Sequence, residues 1–166
     1  MVQFRYVVPL AAFSTLTATF FVTRRFRPLS SRVALGLRVA AAAPLVASGA
    51  LHLLHPQAFV SLLPPPLPQQ SWLIIVTGVP ELLGAAGLFF APTRRAAGLC
   101  LALFMVAIFP ANVYVAGRTV AGLAMPGVPV RAAMQAGYIV LLLVAGWGVP
   151  VRRSEAREPP TSGILR

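Results

Sequence analysis

The sequence predicts an all-α fold, a polytopic transmembrane helical bundle with five spans. Three observations carry that prediction. Hydrophobic residues make up 58% of the chain and charged residues 10%, too little polar surface to cover the core of a water-soluble domain. The apolar residues gather into stretches near the roughly 20 residues needed to cross the hydrocarbon of a bilayer. The basic residues, all arginine, concentrate in alternate connections between those stretches, as they do when lipid-facing loops set topology.

The first stretch, 4–23, opens "FRYVVPLAAFSTLTATFFV". No small-residue cleavage site follows it, and it runs into "TRRFRPLSSR", so it reads as a retained helix and not a signal peptide. Arg24 and Arg25 come after the apolar run and do not match a twin-arginine export signal. A four-span alternative requires this first segment to be peripheral or re-entrant. The second stretch, 33–54, carries Arg38 just inside its start and His52 within a turn of its end. The connection that follows, "HPQAFVSLLPPPLPQQS", has no charged residue. Its apolar Phe59, Val60, Leu62 and Leu63 and its stiff proline run predict a loop lying against the membrane interface.

The third stretch, 72–91, contains Glu81, one of only three acidic residues in the chain. Arg94 and Arg95 lead into the fourth, 96–116, which includes Pro110, Asn112 and Tyr114. The last connection has only Arg118 and Arg131 near its ends, and Arg131 and Gln135 open the fifth stretch, 131–150. Residues 1–151 read as a single transmembrane domain. The remaining 152–166, "RRSEAREPPTSGILR", is polar and proline-containing and reads as a disordered tail. With five spans, every arginine-rich segment falls on one side, which puts the N-terminus outside and the C-terminus in the cytoplasm. The alanine-, arginine- and proline-rich, lysine-free composition points by association to a bacterial plasma membrane.

Several function classes drop out. A net charge of +11 would suggest nucleic acid in a soluble protein, but here the arginines act as topology determinants. Cys100 stands alone, so there is no internal disulfide and no CxxC pair; it reads as a small core residue. His52 and His55 belong to no metal motif, and His55 reads as a solvated loop residue. No catalytic, haem-binding or flavin motif is present, no soluble stretch is long enough for a catalytic domain, and no cofactor can be named.

Depth makes the polar residues informative. At about 1.5 Å per residue, Glu81 lies roughly 13 Å from the outer start of its span, and Asn112 and Tyr114 lie within about 8 Å of the outer end of theirs. His52, Arg131 and Gln135 occupy the same outer half, whereas the inner halves are almost purely aliphatic. Intramembrane ionisable groups face a bundle interior or a wet cavity because lipid exposure costs several kcal/mol. Glu81 therefore has two readings: interhelical glue satisfied by Asn112 or Gln135, or a ligand- or proton-handling group. Gly78, Gly84 and Gly87 allow close helix approach beside it, and Pro80 before Glu81 and Pro110 before Asn112 each free a carbonyl one turn back, two kinks beside polar residues that suggest a small cavity. Thr77 can bond its own helix backbone, Trp72 and Tyr138 read as interfacial or packing residues, and Trp147 as an interface anchor.

The strings "GALHLLHPQAFVSLLPPPLP", "GVPELLGAAGLFFAPTRRAAG", "FPANVYVA" and "RAAMQ", in that order, resemble the DoxX-like family of small bacterial integral membrane proteins. The likeness covers about 40–150. It implies a four-helix core, to which this chain adds an N-terminal span, and it departs in having Leu53 where a phenylalanine commonly follows the histidine. The family name comes from a subunit linked to thiosulfate:quinone oxidoreductase, and most members have no established activity. His52, Glu81, Asn112 and Gln135 match the family's recurrent polar positions. The expectation is an accessory protein that binds a quinone-like or other lipophilic small molecule with these residues, Tyr114 and Arg131. The alternatives are a membrane subunit of a quinone-linked oxidoreductase, whose redox centre a protein partner supplies, and a small transporter, which five spans without a repeat suit only as a homo-oligomer. The bilayer itself is a partner; nucleic acid is not.

Overall fold

In a computed structural model, residues 26–27, 29–65, 67–120 and 123–150 are described. The expected first span, 4–23, and the tail, 152–166, lie outside the described residues. The described part is an up-down helical bundle. A two-residue strand β1 (Phe26–Arg27) precedes α1 (Ser31–Leu54). A 3-10 helix (Pro56–Leu62) then leads to α2 (Ser71–Gly87), and a tight turn to α3 (Arg94–Tyr114). A hairpin of β2 (Thr119–Val120) and β3 (Leu123–Ala124) connects to α4 (Val128–Trp147), which ends at β4 (Val149–Pro150). Strands β1 and β4 pair antiparallel, tying the two ends of the described chain together.

Local chemistry sets the boundaries. Pro56 disfavours helical geometry at His55, whose φ of −133° breaks α1 there. α4 starts on Gly127 with a proline in its first turn, where a missing N–H costs nothing, and stops at Gly148, whose φ of +95° suits only glycine. The third expected span, 72–91, ends four residues early. Phe89 N–H turns in to the Ala86 carbonyl, three residues back, at 3.0 Å, and the Thr93 hydroxyl donates to the Gly87 carbonyl at 3.0 Å. These bonds close a short turn in place of another helical turn.

α1, α3 and α4 are long and apolar enough to cross a membrane. α2 is apolar but has 17 residues, a rise of about 25 Å against a hydrocarbon core of about 30 Å. Each helix packs on its two neighbours in the ring α1–α2–α3–α4. Leu45, Leu88, Leu101, Ile139, Leu142 and Leu143 fill the centre toward the arginine-rich end. The outside is as apolar as the inside, with Leu54, Val76, Leu83, Phe90, Leu103 and Met134 all exposed. A soluble monomer does not present such a continuous surface, and a lipid-facing one does.

That equivalence of inside and outside corrects one expectation. Cys100 is exposed on the bundle's outer face, beside the buried Leu101 and Ala102. Apolar character marks a core position in water, but lipid accepts small apolar side chains equally well.

A polar cavity at the arginine-poor end

Two close backbone approaches shape the region. On α1 and α2, a Cβ placed on Gly78 would lie 2.5 Å from Leu53 Cδ1 and 2.8 Å from His52 Cβ, and one on Gly49 would lie 2.9 Å from the Gly78 carbonyl. Only glycine lets these helices touch so closely, and their contact holds His52 next to the second helix. On α2, the turn that follows Gly78 brings Thr77 and Glu81 onto one face, because residues four apart are stacked. Ser48 and His52 are stacked in the same way on α1.

The result is a cavity of about 280 Å³ between the ends of the helices. Its polar wall comprises Ser48, His52, Thr77, Glu81, Asn112 and Arg131. Phe59, Leu62 and Leu63 of the intervening loop line it too, as do Phe104 and Ile108 of α3 and Met125 of the last connection. The uncharged loop thus folds over the cavity, with the Phe59 ring edge-on to His52 at 4.8 Å. Pro56 starts the 3-10 turn that brings Phe59 there.

Inside the cavity the polar atoms divide into a satisfied set and an unsatisfied one. Arg131 Nη2 donates to Asn112 Oδ1 at 2.7 Å, and Asn112 Nδ2 donates to Gln135 Oε1 at 2.6 Å. Gln135 Nε2 donates in turn to the Met105 carbonyl, so the chain of bonds ends on the α3 backbone. Arg131 Nη1 also reaches Met125 Sδ at 3.5 Å. This network links α3 to α4 and fixes the guanidinium at the cavity wall.

Glu81 is held differently. It is 3% exposed, yet no hydrogen-bond partner reaches its Oε2 among the described residues. The nearest cation-forming atom is His52 Nδ1, 3.6 Å away, and Ser48 engages the same carboxyl group. The Thr77 hydroxyl donates to the Ile74 carbonyl at 2.7 Å, so its oxygen is left to accept from His52 Nδ1, at 3.4 Å. Arg131 Nε is the other buried polar atom without a partner. Two buried polar atoms without a partner, an acceptor and a donor, therefore belong to residues that line one small cavity. Buried polar groups are nearly always paired, and leaving one unpaired costs about 1–3 kcal/mol.

Of the six residues singled out from sequence, His52, Glu81, Asn112 and Arg131 line this cavity. Gln135 lies behind it, buried and bonded to Asn112, on the wall of a second hollow shared with Pro44, Met105 and Tyr138. Tyr114 is elsewhere, with the Arg118 guanidinium stacked 3.8 Å above its ring. Glu81 does not bond Asn112 or Gln135, whose amides are occupied by each other, by Arg131 and by a backbone carbonyl. Ser48 and Phe59 were missed. Ser48 was legible as the residue one turn before His52; Phe59 was read only as an interface residue. Tyr138 packs and bonds, its hydroxyl donating to the Ala41 carbonyl of α1. His55 is exposed at the end of α1, and Trp72 is exposed at the start of α2, its indole N–H on Gln70 Oε1.

Among the described residues, no group of three or more histidines, cysteines and acids is placed to hold a metal. No curated protein matches the chain, and no solved structure does. A family model described as a domain of unknown function, DUF8561, matches residues 41–151, which include every residue of the polar wall. With two-thirds of its length matched, the chain belongs to the DUF8561 family.

Proposed function

We propose that this integral membrane protein binds a small lipophilic molecule with a quinone-like head in the cavity between His52, Glu81, Asn112 and Arg131. The observation that carries this reading is the pair of unpartnered buried atoms, Glu81 Oε2 and Arg131 Nε, on two charged residues that line one mostly apolar pocket. An acceptor and a donor there match the needs of both redox states of such a ring. A quinone carbonyl takes a hydrogen bond from Arg131, and a quinol hydroxyl gives one to Glu81. The size is also suitable. At about 280 Å³ the cavity lies just below the roughly 300–1,000 Å³ of pockets that enclose drug-sized ligands, so it fits one ring and not a flavin or a haem. An isoprenoid tail would leave between helices into lipid.

The wider setting of the proposal is a DoxX-like protein of a bacterial plasma membrane, with the cavity on the outer side and the C-terminus in the cytoplasm. Arg32, Arg38, Arg94 and Arg95 at the opposite end of the bundle support that orientation. α2 completes a span with the apolar Leu88, Phe89 and Phe90 of the turn beyond it, and 4–23 adds the fifth.

Thermal unfolding in detergent tests the reading, with and without a short-chain quinone. A ligand at a hundred times its dissociation constant stabilises by about 2.7 kcal/mol, a readily measured rise in melting temperature. We expect wild type to show that rise and Glu81→Gln to lose it while keeping its own stability. If no quinone moves wild type, and Glu81→Gln is as stable as wild type but Glu81→Leu is not, the glutamate is packing glue and the proposal fails.

A further inference from the structure

A second cavity, of about 650 Å³, opens at the other end of the bundle. It lies between the start of α1, the α2–α3 turn and the last residues of α4, and three arginines line it: Arg38, Arg94 and Arg95. Arg38 is seven residues into α1, so about 10 Å from the helix start, deeper than an interfacial arginine needs to be to mark topology. Its Nε donates to the Ala145 carbonyl of α4 at 3.4 Å. Arg94 Nε donates to the Leu88 carbonyl at 3.2 Å. One donor of each fork is thus used to fix the side chain to backbone, and the terminal nitrogens make no hydrogen bond or ion pair among the described residues.

The charges at this site oppose one another. Arg38 and Arg94 repel each other. Arg94 and Arg95 form the first turn of α3, where the helix dipole already presents positive charge and no acidic residue is present. The only acidic residue among the described ones is Glu81, which lines the other cavity. Like charges gathered in a concave, partly apolar site are stabilised when an anion sits between them. Guanidinium forks match phosphate oxygens in geometry. Leu29, Ala34, Pro92 and Val144 supply apolar wall beside the charges, suited to the glycerol and first acyl carbons of a lipid.

We infer that Arg38, Arg94 and Arg95 form a binding site for a phosphate-bearing anion, supplied by the headgroup of an anionic phospholipid. Basic pockets between transmembrane helices recognise such headgroups elsewhere, and each arginine near a membrane surface contributes about a fivefold gain in affinity.

The full chain, delipidated in mild detergent, is titrated with phosphatidylglycerol, with phosphatidylcholine and with inorganic phosphate, and bound lipid is counted by native mass spectrometry. Phosphatidylglycerol should bind in preference to phosphatidylcholine, and Arg95→Gln should weaken it about fivefold. Arg95 makes none of the backbone bonds above, so this variant leaves the recorded contacts intact. Arg118→Gln, at the far end, should bind phosphatidylglycerol as wild type does. Failure of millimolar phosphate to displace the lipid supports the lipid as source; displacement by phosphate alone overturns that assignment in favour of a soluble phosphate compound. Equal binding of the two lipids, or an Arg95→Gln protein that binds phosphatidylglycerol like wild type, overturns the site.

Discussion

Asn112 makes the first two of the three bonds in a chain that runs from Arg131 to the α3 backbone, and a double-mutant cycle measures what that chain contributes. Asn112→Leu removes the 2.7 Å bond from Arg131 Nη2 and the 2.6 Å bond to Gln135 Oε1. Gln135→Leu removes the second of these and the bond to the Met105 carbonyl. In water such bonds are worth about 0.5–1.5 kcal/mol each, more to a charged donor. Between membrane helices the average is nearer 0.6 kcal/mol, because the unfolded chain also finds partners in the bilayer. A buried group left alone adds about 1–3 kcal/mol, and each variant strands the other end of the shared bond, Gln135 Oε1 in the first and Asn112 Nδ2 in the second. Each single variant should therefore lose about 2 kcal/mol. The double variant shares one broken bond and should lose about 3 kcal/mol and not 4, a coupling of about 1 kcal/mol. Reversible unfolding in mixed micelles gives all four stabilities. Additivity to within about 0.3 kcal/mol would show that the Asn112–Gln135 bond contributes nothing, and the network would then not be what fixes Arg131.

Two further outcomes follow from packing. Gly78→Ala should destabilise by about 1–3 kcal/mol despite alanine's better helix propensity, because its Cβ would lie 2.5 Å from Leu53 Cδ1 and 2.8 Å from His52 Cβ. Gly137→Ala has nothing within 4 Å and should cost nothing, so equal effects of the two in thermal unfolding would contradict the close approach of α1 and α2. At the neighbouring positions on α3, Leu101→Ala should lose about 2–5 kcal/mol and Cys100→Leu less than about 0.5, the reverse order being incompatible with an outward-facing cysteine.

Much of this protein can be read along the chain. Apolar run length and arginine placement give the helices and their up-down order, since the length of a run that matches the bilayer and the position of charge are both local properties of sequence. Pro56, Pro129 and Gly148 mark three of the helix ends, because the backbone restrictions of proline and glycine act within a residue or two. The polar residues of one half of the bundle were recognisable as a set from depth alone. Which of them meet was not. Tyr114 and Asn112 are two residues apart on the same helix, yet one lines the cavity and the other lies under Arg118. The partner of Asn112 proved to be Gln135 and not Glu81, a choice made by the rotation of α4 against α3. Cys100 shows why: in lipid, hydrophobicity no longer distinguishes inward from outward faces. Rotation is settled instead by which backbones can touch, at Gly49 and Gly78 between α1 and α2 and at Gly98 and Gly146 between α3 and α4. The sequence determined that a glutamate had to be sheltered inside the bundle. Only the tertiary packing decided that its shelter is a cavity shared with an arginine, with one polar atom on each left unpaired.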